Sequence, residues 1–334
     1  MKLKDIGEFG FIKRIAPLGS IRPEGVVKGI GDDCAVVGLD GGSNYLLITT
    51  DLLVERVHFM RDWGPPEVLG EKALAVNLSD IAACGGNPRD AFISLAIPQD
   101  VDVEWLEGFY AGMTRLARVY QVNLLGGDTT NSKTDLVINV AVTGLVAKEE
   151  LLLRNTARAG DVIALTGPTG LSAAGCSTLV NSLDLPVQIA QPLIQSHLKP
   201  RPHIKEGRFL AASHACTAAI DVSDGLSSDL AHLCRDSDLG ALLYEKDIPV
   251  GEALIQAAHI AGSDPMDWVL NGGEDYVLLV ALKAEMSEIV RRKAIENGLD
   301  LIVIGKFVPG RKIQIVKSRG GTEDVEPKGW DHFR

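Results

Sequence analysis

The chain has 334 residues, 46% hydrophobic and 23% charged, a globular composition long enough to build two cores. Its formal charge of −11 at pH 7, with no dense Lys/Arg run interleaved with aromatics, argues against nucleic acid as a partner. Five scattered cysteines (Cys34, Cys84, Cys176, Cys216 and Cys234) form no CxxC pair, which excludes a thiolate zinc site and a disulfide framework and fits a reducing compartment.

The apolar runs are broken by charges or glycines well short of the roughly 20 residues a membrane span needs. The opening MKLKDIGEFGFIKRIAP carries acids inside its apolar stretch, unlike a signal peptide. The expectation is a soluble, cytoplasmic protein with no membrane partner.

In chain order, GIGDDCAVV (29–37) comes first: a glycine turn, two adjacent carboxylates, then an apolar run that begins a strand. Aspartate is depleted in strands, and a carboxylate near a core is costly unless something meets it. Asp32 and Asp33 therefore either make the turn or hold a cation. The strand YLLITT (45–50) follows and runs into Asp51. Residues 67–84 have helical spacing, with Asn77 and Asp80 three apart on one face. Asp80 lies near the C-terminus of that helix, before Gly85-Gly86, where the dipole disfavours an anion by a few tenths to about 1 kcal/mol. A broken local rule of this kind marks functional sites.

The strand AFISLAI (91–97), a helix over 102–120, the loop motif LLGGDTT with Asp128, and the strand LVINVAVTGLV (136–146) complete the first half. The charged stretch 146–161 suggests a boundary, giving domains 1–148 and 149–334. Beyond it come the strand DVIALT (161–166), helices over 203–215 and 226–236, AIDVSDG with Asp221 and Asp224, NGGEDY with Glu274, the strand YVLLVAL (276–282) and a helix over 283–297. The composition is that of an α/β or α+β enzyme.

Each of these aspartates, taken singly, is better explained as a cap or turn residue than as a ligand. Asp224-Gly225 could cap the next helix, and Gly272-Gly273-Glu274 could be a turn with a solvated acid. Their number and their neighbours change the balance. Mg²⁺ takes oxygen ligands and is bound by one or two carboxylates plus substrate phosphates. Acids beside hydroxyls, as in Thr49-Thr50-Asp51 and Gly127-Asp128-Thr129, suit it better than zinc or iron. GPTGLSAAG (167–175) lacks the GK[ST] ending of a P-loop, so any ATP phosphates must be held through metal.

Taken together, GIGDDCAVV, TTDLLVERVHF, KALAVNLSDIAACGGNPRD, LLGGDTT, IDVSDGLSSDL, NGGEDYVLL and KGWDHF resemble, in order, the motifs of the thiamine-monophosphate kinase family. That family belongs to the aminoimidazole ribonucleotide synthetase-like ATP-binding superfamily. The resemblance implies a two-domain α/β (α+β) fold, a homodimer formed through the N-terminal sheet, and a nucleotide in a cleft lined by both domains. It implies ATP-dependent phosphorylation of thiamine monophosphate to thiamine diphosphate, with several Mg²⁺ ions and ATP as co-substrate. By resemblance, Asp33, Thr49, Thr50, Asp51, Asp80, Asp128, Asp221 and Asp224 match magnesium ligands. Gly127, Asp128, Arg154 and Ser223 match nucleotide contacts, and His58, Glu274 and Trp330 match contacts to thiamine monophosphate. Another synthetase of the superfamily, or a binding protein that has lost turnover, are the rival readings.

Overall fold

The computed structural model describes residues 2–19, 21–330 and 332–333. The first half runs α1 (Gly7–Gly19), β1 (Val26–Lys28), β2 (Ala35–Gly38), β3 (Asn44–Val54), α2 (Pro66–Ala83), β4 (Asn87–Ile97), α3 (Val103–Tyr120), β5 (Asn123–Asn131) and β6 (Val137–Ala147). Its strands form a sheet of order β1-β2-β3-β6-β4-β5. Residues 148–161 carry the chain to a second sheet.

The second half runs β7 (Val162–Leu165), α4 (Leu171–Asn181), α5 (Val187–Leu198), α6 (Ile204–Ser213), β8 (Cys216–Asp221), α7 (Leu226–Asp236), β9 (Gly240–Tyr244), α8 (Glu252–Ala261), α9 (Pro265–Asn271), β10 (Leu278–Leu282), α10 (Ala284–Glu296), β11 (Ile302–Val308), β12 (Ile313–Val316) and β13 (Thr322–Asp324). These strands are ordered β13-β12-β9-β11-β7-β10-β8. The β4–β5 and β9–β12 pairs are parallel and the other adjacent pairs antiparallel, which places the fold on the α+β side of the expectation.

Burial follows the two-residue period of the pleat. In β6, Ile138, Val140 and Val142 point inward and are buried, whereas Asn139, Ala141 and Thr143 point outward. The inward face is covered by α2, which starts at Pro66, where a missing N–H costs nothing. Its sequence is apolar or small on every side, from Leu69, Ala73 and Leu74 to Leu78, Ile81 and Ala82, so it belongs in an interior. It packs on α3, on β3 and β6, and on α6 and β8 of the second half.

Its crossing with α3 depends on two glycines. A Cβ on Gly112 would lie 1.8 Å from the Glu67 carbonyl, and one on Gly70 1.9 Å from that of Phe109. The apolar core under α2 continues into the second sheet, joining Leu74, Leu78 and Ile81 to Ala219, Leu278 and Val280. A second core on the far face of that sheet joins Leu165, Ile220 and Leu279 to Leu226, Leu230 and Leu254.

Among the described residues the outward face of the first sheet carries no helix layer, and Ile48, Leu52 and Phe92 are exposed on it. Among the described residues no helix is long and apolar enough to cross a membrane. Gly112→Val should separate α2 from α3 and cost at least about 2 kcal/mol in urea denaturation, in the range of overpacked cores. An unchanged midpoint would show that the crossing does not need its glycines.

Candidate active site

Where the two halves meet, Asp33, Asp80 and Asp221 each present a carboxylate oxygen within 4.8 Å of the others. They come from the turn before β2, the last turn of α2 and the end of β8. Short hydroxyl contacts fix them: Thr49 Oγ1 donates to Asp80 Oδ2, and Ser79 Oγ donates to Asp221 Oδ2 at 2.6 Å. Asn77, fully buried one turn before Asp80, accepts the Asp51 N–H at 3.0 Å and donates to the Ala73 carbonyl at 3.1 Å. The face expected of Asn77 and Asp80 thus meets the strand that carries Thr49 and Asp51.

So many acids in one dry place oppose their own ionisation. Burial, then the charge of Asp33, pushes Asp51 up to about 6; the same two causes push Asp32 to about 6 and Asp221 to about 8. Asp80 is raised well above the ordinary carboxylate range by burial and by Asp51. The counter-charge from the protein is Arg154, which donates from Nη2 to Asp33. Burial works against the guanidinium, but Asp33 outweighs it and raises the arginine above its usual value. Arg154 is therefore an interior partner, with 18% of its side chain exposed, and not a loose surface arginine. Asp33 Oδ2 is buried without a hydrogen-bond partner. An all-oxygen set with an unmet carboxylate oxygen fits a hard divalent cation.

Asp32 has the turn-forming part. Its Oδ1 accepts the Asp33 N–H at 3.1 Å, and its Oδ2 lies 3.3 Å from Lys28 Nζ. Asp224 does not cap the next helix; Asp229 Oδ2 accepts the N–H groups of Asp224 and Gly225 at 3.2 and 3.0 Å. Asp224, Asp229 and His232 place ligand atoms within 4.8 Å of one another. Ser223 lends its carbonyl to Glu274 N at 2.8 Å, and Asp224 lends its own to Trp330 N at 3.0 Å.

Glu274 is not a solvated turn acid. Its Oε1 lies 2.9 Å from Lys72 Nζ and its Oε2 3.2 Å from His197 Nδ1. His58 accepts the Val54 N–H at Nδ1 and sits 5.0 Å from the His332 ring, to which Trp330 Nε1 donates at 3.1 Å. Glu274 and Trp330 are thus tied through their backbone N–H groups to Ser223 and Asp224, and His58 lies against His332 of the same tail.

Thr50, Gly127 and Asp128 are placed differently. Thr50 alternates with Asp51 on β3 and so points to the outward face, where its hydroxyl accepts from Asn139 Nδ2 at 2.8 Å. Asp128 is on the exposed edge strand β5, three strand spacings or about 14 Å from β3. Asn139 pairs with Ser94 and Ser94 with Asp128, so these residues form a polar row across the open face.

Sequence reasoning missed Lys72, Ser79, His197 and Asp275. A lysine inside the apolar run of α2 was the available signal, because a charge there needs a buried partner. The glycine turn GPTG proves to be ordinary helix-start chemistry. Asp275 occupies the anion position at the N-terminus of α4, accepting from Gly170 N at 2.6 Å and Ser172 N at 3.1 Å.

The AIR synthase related protein family matches the chain through its N-terminal domain at residues 31–146 and its C-terminal domain at residues 158–318. The thiamine-monophosphate kinase of Escherichia coli (strain K12) is 37% identical over 333 residues, covering 98% of both chains. That of Bacillus subtilis (strain 168) is 33% identical over 330 residues, covering 98% of this chain and 99% of its own. The chain belongs to the thiamine-monophosphate kinase family. Among solved structures, AaThiL complexed with AMPPCP and TMP is similar at 34% identity and a TM-score of 0.86, covering 99% of each chain. The family's enzyme from Aquifex aeolicus gives 31% identity and a TM-score of 0.81, covering 98% of this chain and 100% of that one. A hydrogenase maturation protein HypE bound to ATP shares the fold at 18% identity and a TM-score of 0.72, covering 98% of both chains.

The raised carboxylates set a pH dependence for the metal-free protein. Their folded values lie above the ordinary 3.8, so the folded state binds more protons than the unfolded chain between about 4 and 8. Their contribution to stability is present at low pH and is lost as pH rises through 6 to 8. In scanning fluorimetry with a chelator, Tm should fall from pH 5 to pH 8, and Mg²⁺ should raise it more at pH 8 than at pH 5. Equal increments at both pH values would rule out metal binding by the ionised cluster.

Proposed function

We propose that the protein is a kinase that transfers the terminal phosphoryl group of ATP to the phosphate of thiamine monophosphate, giving thiamine diphosphate and ADP. The observation that carries this reading is the convergence of Asp33, Asp80 and Asp221, from both halves of the chain. Family membership supplies the reaction, and the site supplies a physical account of it.

Both substrates are polyanions and the protein is itself acidic. When bound, Mg²⁺ would cancel the repulsion between carboxylates and phosphates and stabilise charge on the transferring group. Asp33, Thr49, Thr50, Asp51, Asp80, Asp128, Asp221 and Asp224 are the proposed ligands. Thr50 and Asp128, on the open face, would serve ions or phosphates at that side. Gly127, Asp128, Arg154 and Ser223 are the proposed nucleotide contacts, with the guanidinium fork of Arg154 suited to phosphate oxygens.

The acceptor oxygen belongs to a phosphate that is largely ionised near neutrality, so no side chain need remove a proton. Catalysis is positioning and electrostatic stabilisation of an in-line transfer, without a covalent enzyme intermediate. Glu274 and the half-exposed Trp330 suit the cationic thiazolium ring, one as an anion and the other as an aromatic face.

The domains proposed are 1–148 for metal binding and dimerisation and 149–334 for the remainder, in a cytoplasmic enzyme. A second copy is the proposed cover for the open face, since Ile48, Leu52 and Phe92 would otherwise leave an apolar sheet face in water. Phe92→Glu should convert a dimer to a monomer in light scattering. A wild type of monomer mass would remove the dimer.

The direct test incubates the protein with ATP, Mg²⁺ and thiamine monophosphate and follows thiamine diphosphate by chromatography, beside Asp51→Ala. Product is expected from the wild type, with a loss of about a hundredfold or more in the variant, as for other transition-state electrostatic groups. ATP binding without any product would favour the binding-only rival, and turnover of another acceptor would favour a different synthetase.

A further inference from the structure

We propose that Lys72 is a positioning residue of the acceptor site, holding Glu274 as an anion so that the site selects a cationic heterocycle. The inference rests on the phosphoryl-transfer reading above and adds a role for a residue that opens the motif KALAVNLSD but to which the resemblance gives no function.

The geometry begins with the backbone. Glu274 is held at φ 63°, in the left-handed region that a residue with a Cβ rarely adopts. Its N–H is tied to the Ser223 carbonyl, and Tyr276, also left-handed at φ 53°, is tied by its N–H to Val222. The loop is thus forced into a shape that turns the Glu274 side chain towards α2 and α5. Strain maintained in this way belongs to sites where a side chain must be aimed.

At the other end, Lys72 is 2% exposed on a helix whose neighbouring positions, apart from the adjacent Glu71, are apolar or small. An ammonium group taken out of water is tolerated when a counter-ion meets it, and Glu274 is that counter-ion at 2.9 Å. The pairing is incomplete, since Lys72 Nζ, Glu274 Oε1 and His197 Nε2 are buried without a hydrogen-bond partner of good geometry. The charged and titratable groups facing Glu274 are Lys72 from α2, His197 from α5, Cys176 from α4, His58 after β3, and Asp275 and Tyr276 of its own loop. Burial pushes His197 down to about 4, assisted by Lys72, so near neutrality it is an uncharged hydrogen-bonding partner. His58 is lowered too, by burial first. Of these groups Lys72 approaches the Glu274 carboxylate at 2.9 Å, against 3.2 Å for His197.

Burial by itself would raise Glu274, yet Lys72 foremost draws it below the usual carboxylate range. Without Lys72 the carboxyl would keep its desolvation and lose its counter-charge, so it would take up a proton at higher pH than it does in the wild type. A neutral acid there attracts a thiazolium cation far less than a carboxylate does. A purely structural strut between α2 and the 272–277 loop predicts no such pH dependence.

The experiment measures KM for thiamine monophosphate and for ATP from pH 6 to pH 9 in the wild type, Lys72→Met, Lys72→Arg and Glu274→Gln. Taking the variant-to-wild-type ratio at each pH cancels the ionisation of the substrate's own phosphate. For Lys72→Met, the ratio for thiamine monophosphate should rise about twofold or more as pH falls from 9 to 6, the direction expected when a carboxyl group that has lost its counter-charge takes up a proton. Its ratio for ATP should show no such rise, and Lys72→Arg should flatten the profile again. If Lys72→Met does not fold, Lys72→Gln keeps most of the volume without the charge and carries the same expectation. A ratio independent of pH, with Glu274→Gln raising KM for thiamine monophosphate, overturns the role of Lys72 alone. Glu274→Gln with an unchanged KM, or a wild type that makes no thiamine diphosphate, overturns the acceptor-site reading beneath it.

Discussion

The repulsion among buried carboxylates is the constraint around which this molecule is arranged. Asp33, Asp51, Asp80 and Asp221 reach one place from the turn before β2, from β3, from α2 and from β8. Nothing in a folding core favours that assembly, and the raised carboxyl values measure how strongly the protein resists it. What makes it tolerable is local: a hydroxyl from Thr49 on Asp80, one from Ser79 on Asp221, and the guanidinium of Arg154 against Asp33. These contacts hold position while leaving oxygens unmet, which is the condition a cation-binding site requires.

Supporting a site that opposes its own assembly requires rigid surroundings, and α2 provides them. It is buried on all sides, pinned to α3 where Gly70 and Gly112 let two backbones touch, and continuous with the core of the second sheet. Four of the site's polar residues project from this one helix. Asn77 and Asp80 meet the first sheet, Ser79 meets β8, and Lys72 meets the loop that carries Glu274. An interface built of close-packed apolar residues transmits a shift in either half to both ends of the site. The cluster and the Glu274 loop therefore form one structure.

Much of the framework was legible from periodicity. The helix read over 67–84 is α2 at Pro66–Ala83, the one over 226–236 is α7, and the strand read over 276–282 is β10 at Leu278–Leu282. β5 was not legible, because LLGGDTT has neither alternation nor β-branched density. It forms a strand because β4 offers it a parallel edge. The helices α5, α8 and α9 also passed unread, although α6, no longer than α8, was read.

For the site, the acids themselves stood out by number and by the misplacement of Asp80 against its helix dipole. The motif order was enough to give the family and, through it, the chemistry expected. Sequence settles such matters because residue type and local spacing fix which groups exist and which face of an element each occupies. Partners far apart in the chain were decided by the tertiary structure alone. Ser79 with Asp221 spans 142 positions, Arg154 with Asp33 spans 121, and Lys72 meets a glutamate on the other side of the domain junction. The same holds for the divergence of Thr50 from Asp51, which adjacent letters do not show and a pleated strand imposes. Side-chain contacts across a core depend on how two sheets and a helix are stacked, and no local pattern encodes that distance.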